Sequence, residues 1–255
     1  MAFYLPAGRE CELFAAACRA RLPVLLKGPT GCGKSRFVEA MAERLGLALV
    51  TVACNEDTSA SDLLGRYLLD GGGTRWLDGP VTRAVREGAL LYLDEVAEAR
   101  EDVLVVIHAL TDHRRRLFID RRDETLVAPP SFQLVVSFNP GYQRGVREMK
   151  PSTRQRFTAL AFDFPDPPRE VEVVRHESQC TADVAVRLVA LAGQIRAAQD
   201  LGLRETVSTR LLVYAARLIV EGIPPREACR AALVEPLTDE VDVALALGDL
   251  VALRW

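Results

Sequence analysis

Eight residues constrain this chain more than any others: Gly28-Pro29-Thr30-Gly31-Cys32-Gly33-Lys34-Ser35. They follow the apolar run Pro23-Val24-Leu25-Leu26, and the stretch they open places Phe37, Val38, Met41, Ala42 and Leu45 at helical spacing. A strand, then G-x-x-x-x-G-K-[ST], then a helix is the context in which this pattern cradles phosphate. Glycine is needed there because the backbone must wrap close to phosphate oxygens and aim successive N–H groups at them. The helix N-terminus adds a dipole that favours the anion. On this reading the loop holds a nucleoside triphosphate, the Lys34 ammonium reaches its β and γ phosphates, and the Ser35 hydroxyl ligates Mg2+.

Such a loop needs a sheet to stand on. With 255 residues, 49% of them hydrophobic and 26% charged, the chain has room for one large and one small globular domain. Apolar runs suited to buried parallel strands fall at 23–26, 47–53, 89–93, 132–138 and 159–164, and helical patterns separate them at 34–45, 80–87 and 101–111. A further helix is expected over 8–21, and short ones close the stretches 55–64 and 152–157. This predicts an α/β fold with a parallel sheet sandwiched by helices. Two hairpins interrupt it, one over 65–77 with its turn at Asp70–Gly73 and one over 114–127. Asp166-Pro167-Pro168 reads as a linker, after which strand signals stop. Helical patterns then occupy 169–179, 182–201, 209–221, 225–233 and 240–250, punctuated by Gly202, Gly222, Pro224 and Pro236. The expected organisation is a nucleotide-binding domain over 1–165 and an all-helical lid domain over 166–255.

The chemistry accompanying the loop sits at strand ends. Leu90-Leu91-Tyr92-Leu93-Asp94-Glu95 delivers two carboxylates to a strand's C-terminal edge, where ligand chemistry lies in open parallel sheets. Asp94 would hold Mg2+ beside Ser35, and Glu95 would accept a proton from, or orient, the water attacking the γ phosphate. Asn139 ends the strand at 132–138; with that strand between the other two, its amide can hold the same water, and Pro140 then turns the chain away. Arg154 and Arg156, in Lys150-Pro151-Ser152-Thr153-Arg154-Gln155-Arg156-Phe157, are candidates to reach a γ phosphate in a neighbouring subunit, Arg156 favoured and Arg154 the alternative. Arg210, opening a helix after Val207-Ser208-Thr209, could sense that phosphate from the second domain.

Taken in order, Gly28–Ser35, Asp94-Glu95, Asn139, Arg156 and Arg210 resemble the motif set of an AAA+ ATPase. Gly65-Arg66-Tyr67, followed by Leu77-Asp78-Gly79-Pro80-Val81-Thr82-Arg83-Ala84, resembles the MoxR branch. Leu26-Lys27-Gly28 through Arg36-Phe37-Val38-Glu39, with Leu110-Thr111-Asp112-His113, Asn139-Pro140-Gly141-Tyr142-Gln143 and residues 151–157 and 208–214, is similar to the CbbQ/NirQ/NorQ/GvpN group. Residues 226–239 look more like its CbbQ members, the Rubisco activase motor subunits. The resemblance implies a ring-forming, usually hexameric, Mg-dependent ATPase that remodels a client protein together with a von Willebrand factor A-domain adaptor (CbbO-like). For CbbQ the client is Rubisco stalled by tightly bound sugar phosphates; for NorQ and NirQ it is nitric oxide reductase. The CbbQ reading leads and the reductase reading is its alternative.

The remaining features divide between plain and pointed readings. Tyr67, Leu68, Leu69 and Trp76 on the first hairpin would either grip a client in a ring pore or cover the neighbouring subunit. Arg114–Arg116 with Arg121 and Arg122 could meet phosphate, yet Asp112, Asp120, Asp123 and Glu124 lie close enough to pair with them. A net charge of −3 and no appended DNA-binding motif argue against a nucleic-acid motor on the same fold. Six cysteines without metal-like spacing read as free thiols in a reducing cytoplasm, with Cys32 an inert loop spacer. Neither a leader-like N-terminus nor an apolar run of ~20 residues is present, so no membrane contact is expected.

Overall fold

The structure, a computed structural model, describes residues 2–139, 149–198 and 201–255. In chain order, α1 (Glu10–Arg19) leads to β1 (Val24–Lys27), and the phosphate loop joins β1 to α2 (Lys34–Leu45). There follow β2 (Leu49–Ala53), α3 (Ala60–Leu64), the hairpin β3 (Gly65–Asp70) and β4 (Gly73–Asp78), α4 (Pro80–Glu87), β5 (Leu90–Asp94) and α5 (Glu101–Thr111). A second hairpin, β6 (Arg116–Ile119) and β7 (Glu124–Val127), precedes β8 (Gln133–Phe138), α6 (Pro151–Arg154) and β9 (Thr158–Ala161). The rest is helical: α7 (Pro167–Ser178), α8 (Ala182–Ala197), α9 (Thr209–Val220), α10 (Pro225–Cys229) and α11 (Val241–Ala252).

Five strands form one parallel sheet in the order β2-β5-β8-β1-β9. Their alternation explains why both faces are covered. Leu25, Leu91, Leu93, Leu134 and Val136 point to a core shared with Val85, Val103 and Ile107. Val24, Leu26, Leu90, Tyr92 and Val135 point the other way, to Phe14, Phe37 and Met41. Consecutive apolar residues along a strand therefore serve two helix layers, and each buried aliphatic side chain contributes roughly 1.5–3 kcal/mol. β8 lies between β5 and β1, so the last residues of all three strands end on one edge.

Three expectations meet local chemistry that the apolar pattern does not carry. The second strand begins at Leu49, not 47, because Leu47 donates to Ala42 O in the left-handed Gly46 cap that ends α2. It is also an edge strand, with Thr51 and Ala53 exposed. Asp166-Pro167-Pro168 is a helix start: the Asp166 carboxylate accepts from Arg169 N while the prolines fill the first turn of α7, where no N–H is required. The helix expected over 225–233 changes pitch after Cys229 into a π-helical turn, Arg230–Val234.

The hairpins lean on each other. Tyr67 meets Trp76 edge-on at 5.1 Å, the Tyr67 hydroxyl donates to Arg121 O at 3.1 Å, and the Arg122 guanidinium lies 5.8 Å from the Trp76 ring. Arg86 bridges them, with Asp78 on one side and Glu124 on the other, both at 2.8 Å. The acidic neighbours of Arg114 and Arg122 do pair with them, Asp112 with the first and Glu124 with the second. The helical region packs its own core around Val174, Leu188, Ala192, Leu212 and Leu233.

Candidate nucleotide site

The phosphate loop is shaped by close approach. Gly31 has φ +70°, and a Cβ there would stand 2.7 Å from the Ser208 side chain at the start of α9. Gly33, at φ +101°, is the N-cap of α2 and supplies no side chain to its first turn. The free N–H groups of that turn and the end of the helix dipole therefore face the loop.

Lys34 is 7% exposed, and burial pushes its pKa down, against the pull of the acidic groups Asp94 and Glu95. Arg210 pushes in the same direction as burial, so two cations face one space that a polyanion would suit. The Lys34 ammonium donates to Gly28 O and Pro29 O, both at 2.8 Å, and to Asn139 Oδ1 at 2.6 Å. The Asn139 amide group donates in turn to Thr30 Oγ1 and Glu95 Oε1, both at 3.2 Å. One asparagine thus joins the lysine, the loop and the second carboxylate. Pro140 and the motif residues after it, through Gln143, lie outside the described residues.

Asp94 is held from two sides. Its Oδ1 accepts from the Tyr92 hydroxyl at 2.6 Å and from the Ser137 hydroxyl, leaving Oδ2 for Ser35 Oγ at 3.3 Å. Ser137 Oγ also accepts from Glu95 N at 2.8 Å, tying both acidic residues to β8. Burial and the Asp94 contact raise the Tyr92 pKa, which keeps the phenol a neutral donor. Glu95 stands exposed at φ +55°, a left-handed conformation unusual for a residue with a side chain. Tyr92 and Ser137 were not singled out from sequence, although each sits two residues before a site residue and so on the same strand face. Cys32 is buried, and burial raises its thiol pKa, which disfavours the thiolate.

These groups border a cavity of about 390 Å3 closed by Phe3, Tyr4 and Leu5 on one side and by α7 and α9 on another. Arg210 lines it; among the described residues, Arg154 and Arg156 do not. The N-terminal wall has no periodic signature in the sequence. It is folded by Glu10, whose carboxylate accepts from the Tyr4 hydroxyl at 2.8 Å, Ala7 N at 2.7 Å and Gly8 N at 2.8 Å. Phe3 stacks on His176 of α7 at 3.6 Å. Arg154 is anchored, with Nε on Met149 O at 2.9 Å and its guanidinium 5.9 Å from the Phe138 ring. Arg156 is exposed, just beyond α6. The Ser35 hydroxyl and Asp94 Oδ2 make a hard-oxygen pair of the kind Mg2+ accepts when phosphate supplies its other ligands.

Known families and structures match this arrangement. Residues 23–157 match the AAA domain (dynein-related subfamily), and residues 170–254 match the CbbQ/NirQ/NorQ C-terminal family. The chain is 60% identical to protein NorQ of Paracoccus denitrificans, over 98% of this chain and 93% of that one. It is 56% identical to protein CbbQ of Hydrogenophilus thermoluteolus, over 96% and 92%. A RuvB variant from Thermotoga maritima shares the fold, with TM-score 0.58 and 15% identity over 96% of this chain and 71% of that one.

Proposed function

The chain belongs to the CbbQ/NirQ/NorQ family of AAA ATPases, and from that premise we propose that it is a ring-forming Mg-ATPase that remodels a client protein. The observation that carries the hydrolytic part is the convergence of Lys34, Ser35, Asp94, Glu95 and Asn139 on one cavity by direct hydrogen bonds. In this reading Lys34 exchanges its loop carbonyls for β and γ phosphate oxygens. The backbone of residues 28–33 wraps the phosphates, and Phe3 to Leu5 with α7 enclose the adenine end. Ser35 and Asp94 Oδ2 would hold Mg2+, which when bound neutralises charge on the β and γ phosphates. Glu95 accepts the proton of the attacking water, and Asn139 fixes the direction of that carboxylate or of the water itself.

Residues 1–165 serve as the nucleotide-binding domain and 166–255 as a helical lid bringing Arg210 to the γ phosphate. Arg156 acts on the site of a neighbouring subunit, a role worth about 10³–10⁵ in rate. Its exposure supports this, whereas Arg154 is already engaged with Met149 and Phe138. The assembly is a hexamer working with a von Willebrand factor A-domain adaptor, and its client is Rubisco. The 60% identity to a protein named NorQ supports the alternative client, nitric oxide reductase, as the 56% identity to one named CbbQ supports Rubisco. The test of class is the ATPase rate with Mg2+ alone, with the A-domain adaptor and with DNA. Stimulation by the adaptor is expected. Stimulation by DNA and not by the adaptor would overturn the remodelling reading.

A further inference from the structure

The helical region contains a buried ion pair to which nucleotide chemistry assigns no task. Glu170 of α7 is 1% exposed. Arg196 of α8 forks onto it, Nη1 to Oε2 at 2.7 Å and Nη2 to Oε1 at 2.8 Å. The Thr209 hydroxyl, on the first residue of α9, donates to Glu170 Oε1 at 2.6 Å. Arg196 also donates through Nε to Val207 O at 2.8 Å, and its guanidinium lies 4.0 Å from the centre of the Phe164 ring, on the segment between β9 and α7.

A buried pair of this kind is a poor source of stability, since apolar residues of the same volume often do as well. What a bidentate fork does fix is geometry. Here every partner leads to one place. Val207 and Thr209 flank Ser208, whose side chain abuts Gly31 of the phosphate loop so closely that a Cβ there would sit 2.7 Å away. The same Cβ would lie 3.3 Å from Arg210 Cβ. The first turn of α9 is therefore pinned between the loop on one side and Glu170 on the other, with Arg210 next in line and facing the cavity.

We propose that Glu170, Arg196 and Thr209 are positioning residues for Arg210: they hold the first turn of α9 so that this arginine meets the γ phosphate. The inference rests on the reading of Arg210 given above and adds how its place is set. It predicts that the network matters for ATP and little for ADP, which has no γ phosphate to meet.

The experiment measures the affinity of the full chain for a fluorescent, non-hydrolysable ATP analogue and for the matching ADP analogue, alongside kcat. Thr209→Val removes the donor at constant shape. It should weaken the ATP analogue and lower kcat about tenfold, as for loss of a hydrogen bond to a buried charge, with ADP affinity within about twofold. Thr209→Ser should restore both. Combining Thr209→Val with Arg210→Ala should be no worse than Arg210→Ala alone, the non-additivity expected when one residue acts through another. Equal loss of ATP and ADP affinity, additive losses or no loss would each overturn the proposal. If Thr209→Val fails to fold, Arg196→Lys, which loses the fork and the Phe164 stack, is read by the same comparison. If Arg210→Ala itself changes nothing while the wild type hydrolyses ATP, the reading of Arg210 fails and the network with it. A wild type without ATPase activity would instead fail the proposed function.

Discussion

Asn139 couples the lysine that would hold phosphate to the carboxylate that would activate water, because its carbonyl accepts from Lys34 while its NH2 donates to Glu95. A change at either neighbour should then separate binding from chemistry. Glu95→Gln keeps an oxygen that can accept from Asn139 but cannot take a proton from water. Nucleotide affinity should hold and phosphate release should fall by about 10²–10⁴, the range of a general base. Lys34→Ala should instead abolish nucleotide binding in titration calorimetry, since it removes the cation and leaves Gly28 O and Pro29 O without their donor. A Glu95→Gln variant hydrolysing ATP at the parent rate would rule out the base assignment. Residues 28–35, Asp94, Glu95 and Asn139 were legible because each sits where a regular element ends, and an abrupt polar residue after an apolar run is visible in sequence. Tyr92 and Ser137 were hidden inside strands, where a phenol or hydroxyl reads as packing until its partner across the sheet is known.

Among the elements, α6 precedes the arginine proposed to act on a neighbouring subunit. The short helix is docked by the buried Thr153, whose hydroxyl is 3.0 Å from His108 Nε2 on α5, and by Arg154 on Met149 O. Burial and the nearby Arg156 charge both lower the His108 pKa, which favours the neutral imidazole beside the exposed Arg156. That exposure is what the proposed action on a neighbouring γ phosphate requires. Mixing Arg156→Ala, which retains an intact loop, with Lys34→Ala, which retains an intact finger, should restore ATPase activity absent from either variant. No recovery in co-assembled rings would count against Arg156 acting in trans. The parallel sheet was readable because β5 and β8 carry unbroken apolar runs, Leu90-Leu91-Tyr92-Leu93 and Leu134-Val135-Val136, and only a layer buried on both faces tolerates that. The start of β2, the start of α7 and the π-helical turn were not, because caps and pitch depend on backbone hydrogen bonds that an apolar pattern does not encode. The N-terminal wall of the cavity was equally silent, being a loop shaped by a single carboxylate.

At the scale of the whole molecule, the two hairpins form one body away from the nucleotide cavity, joined by Tyr67, Trp76, Arg86, Arg121 and Arg122. Leu69, near the tip of the first, is 91% exposed. If the hairpins act on Rubisco, the task has a defined physical form. A multiply charged sugar phosphate in a closed site leaves slowly, because affinity differences reside mainly in dissociation rates. Distorting that site enough to lower its opening barrier by ~4 kcal/mol would speed release about a thousandfold. The measurement locks Rubisco with its inhibitory sugar phosphate, adds this protein, an A-domain adaptor and ATP, and follows carboxylation. Recovery is expected with the wild type and not with Glu95→Gln, which binds the nucleotide without turning it over. Leu69→Ser should reduce recovery while leaving the basal ATPase rate in place, since the hairpin lies apart from Lys34 and Glu95. Carboxylation that stays at the locked baseline, while the same pair activates nitric oxide reductase, would transfer the client assignment to the reductase and leave the motor mechanism intact.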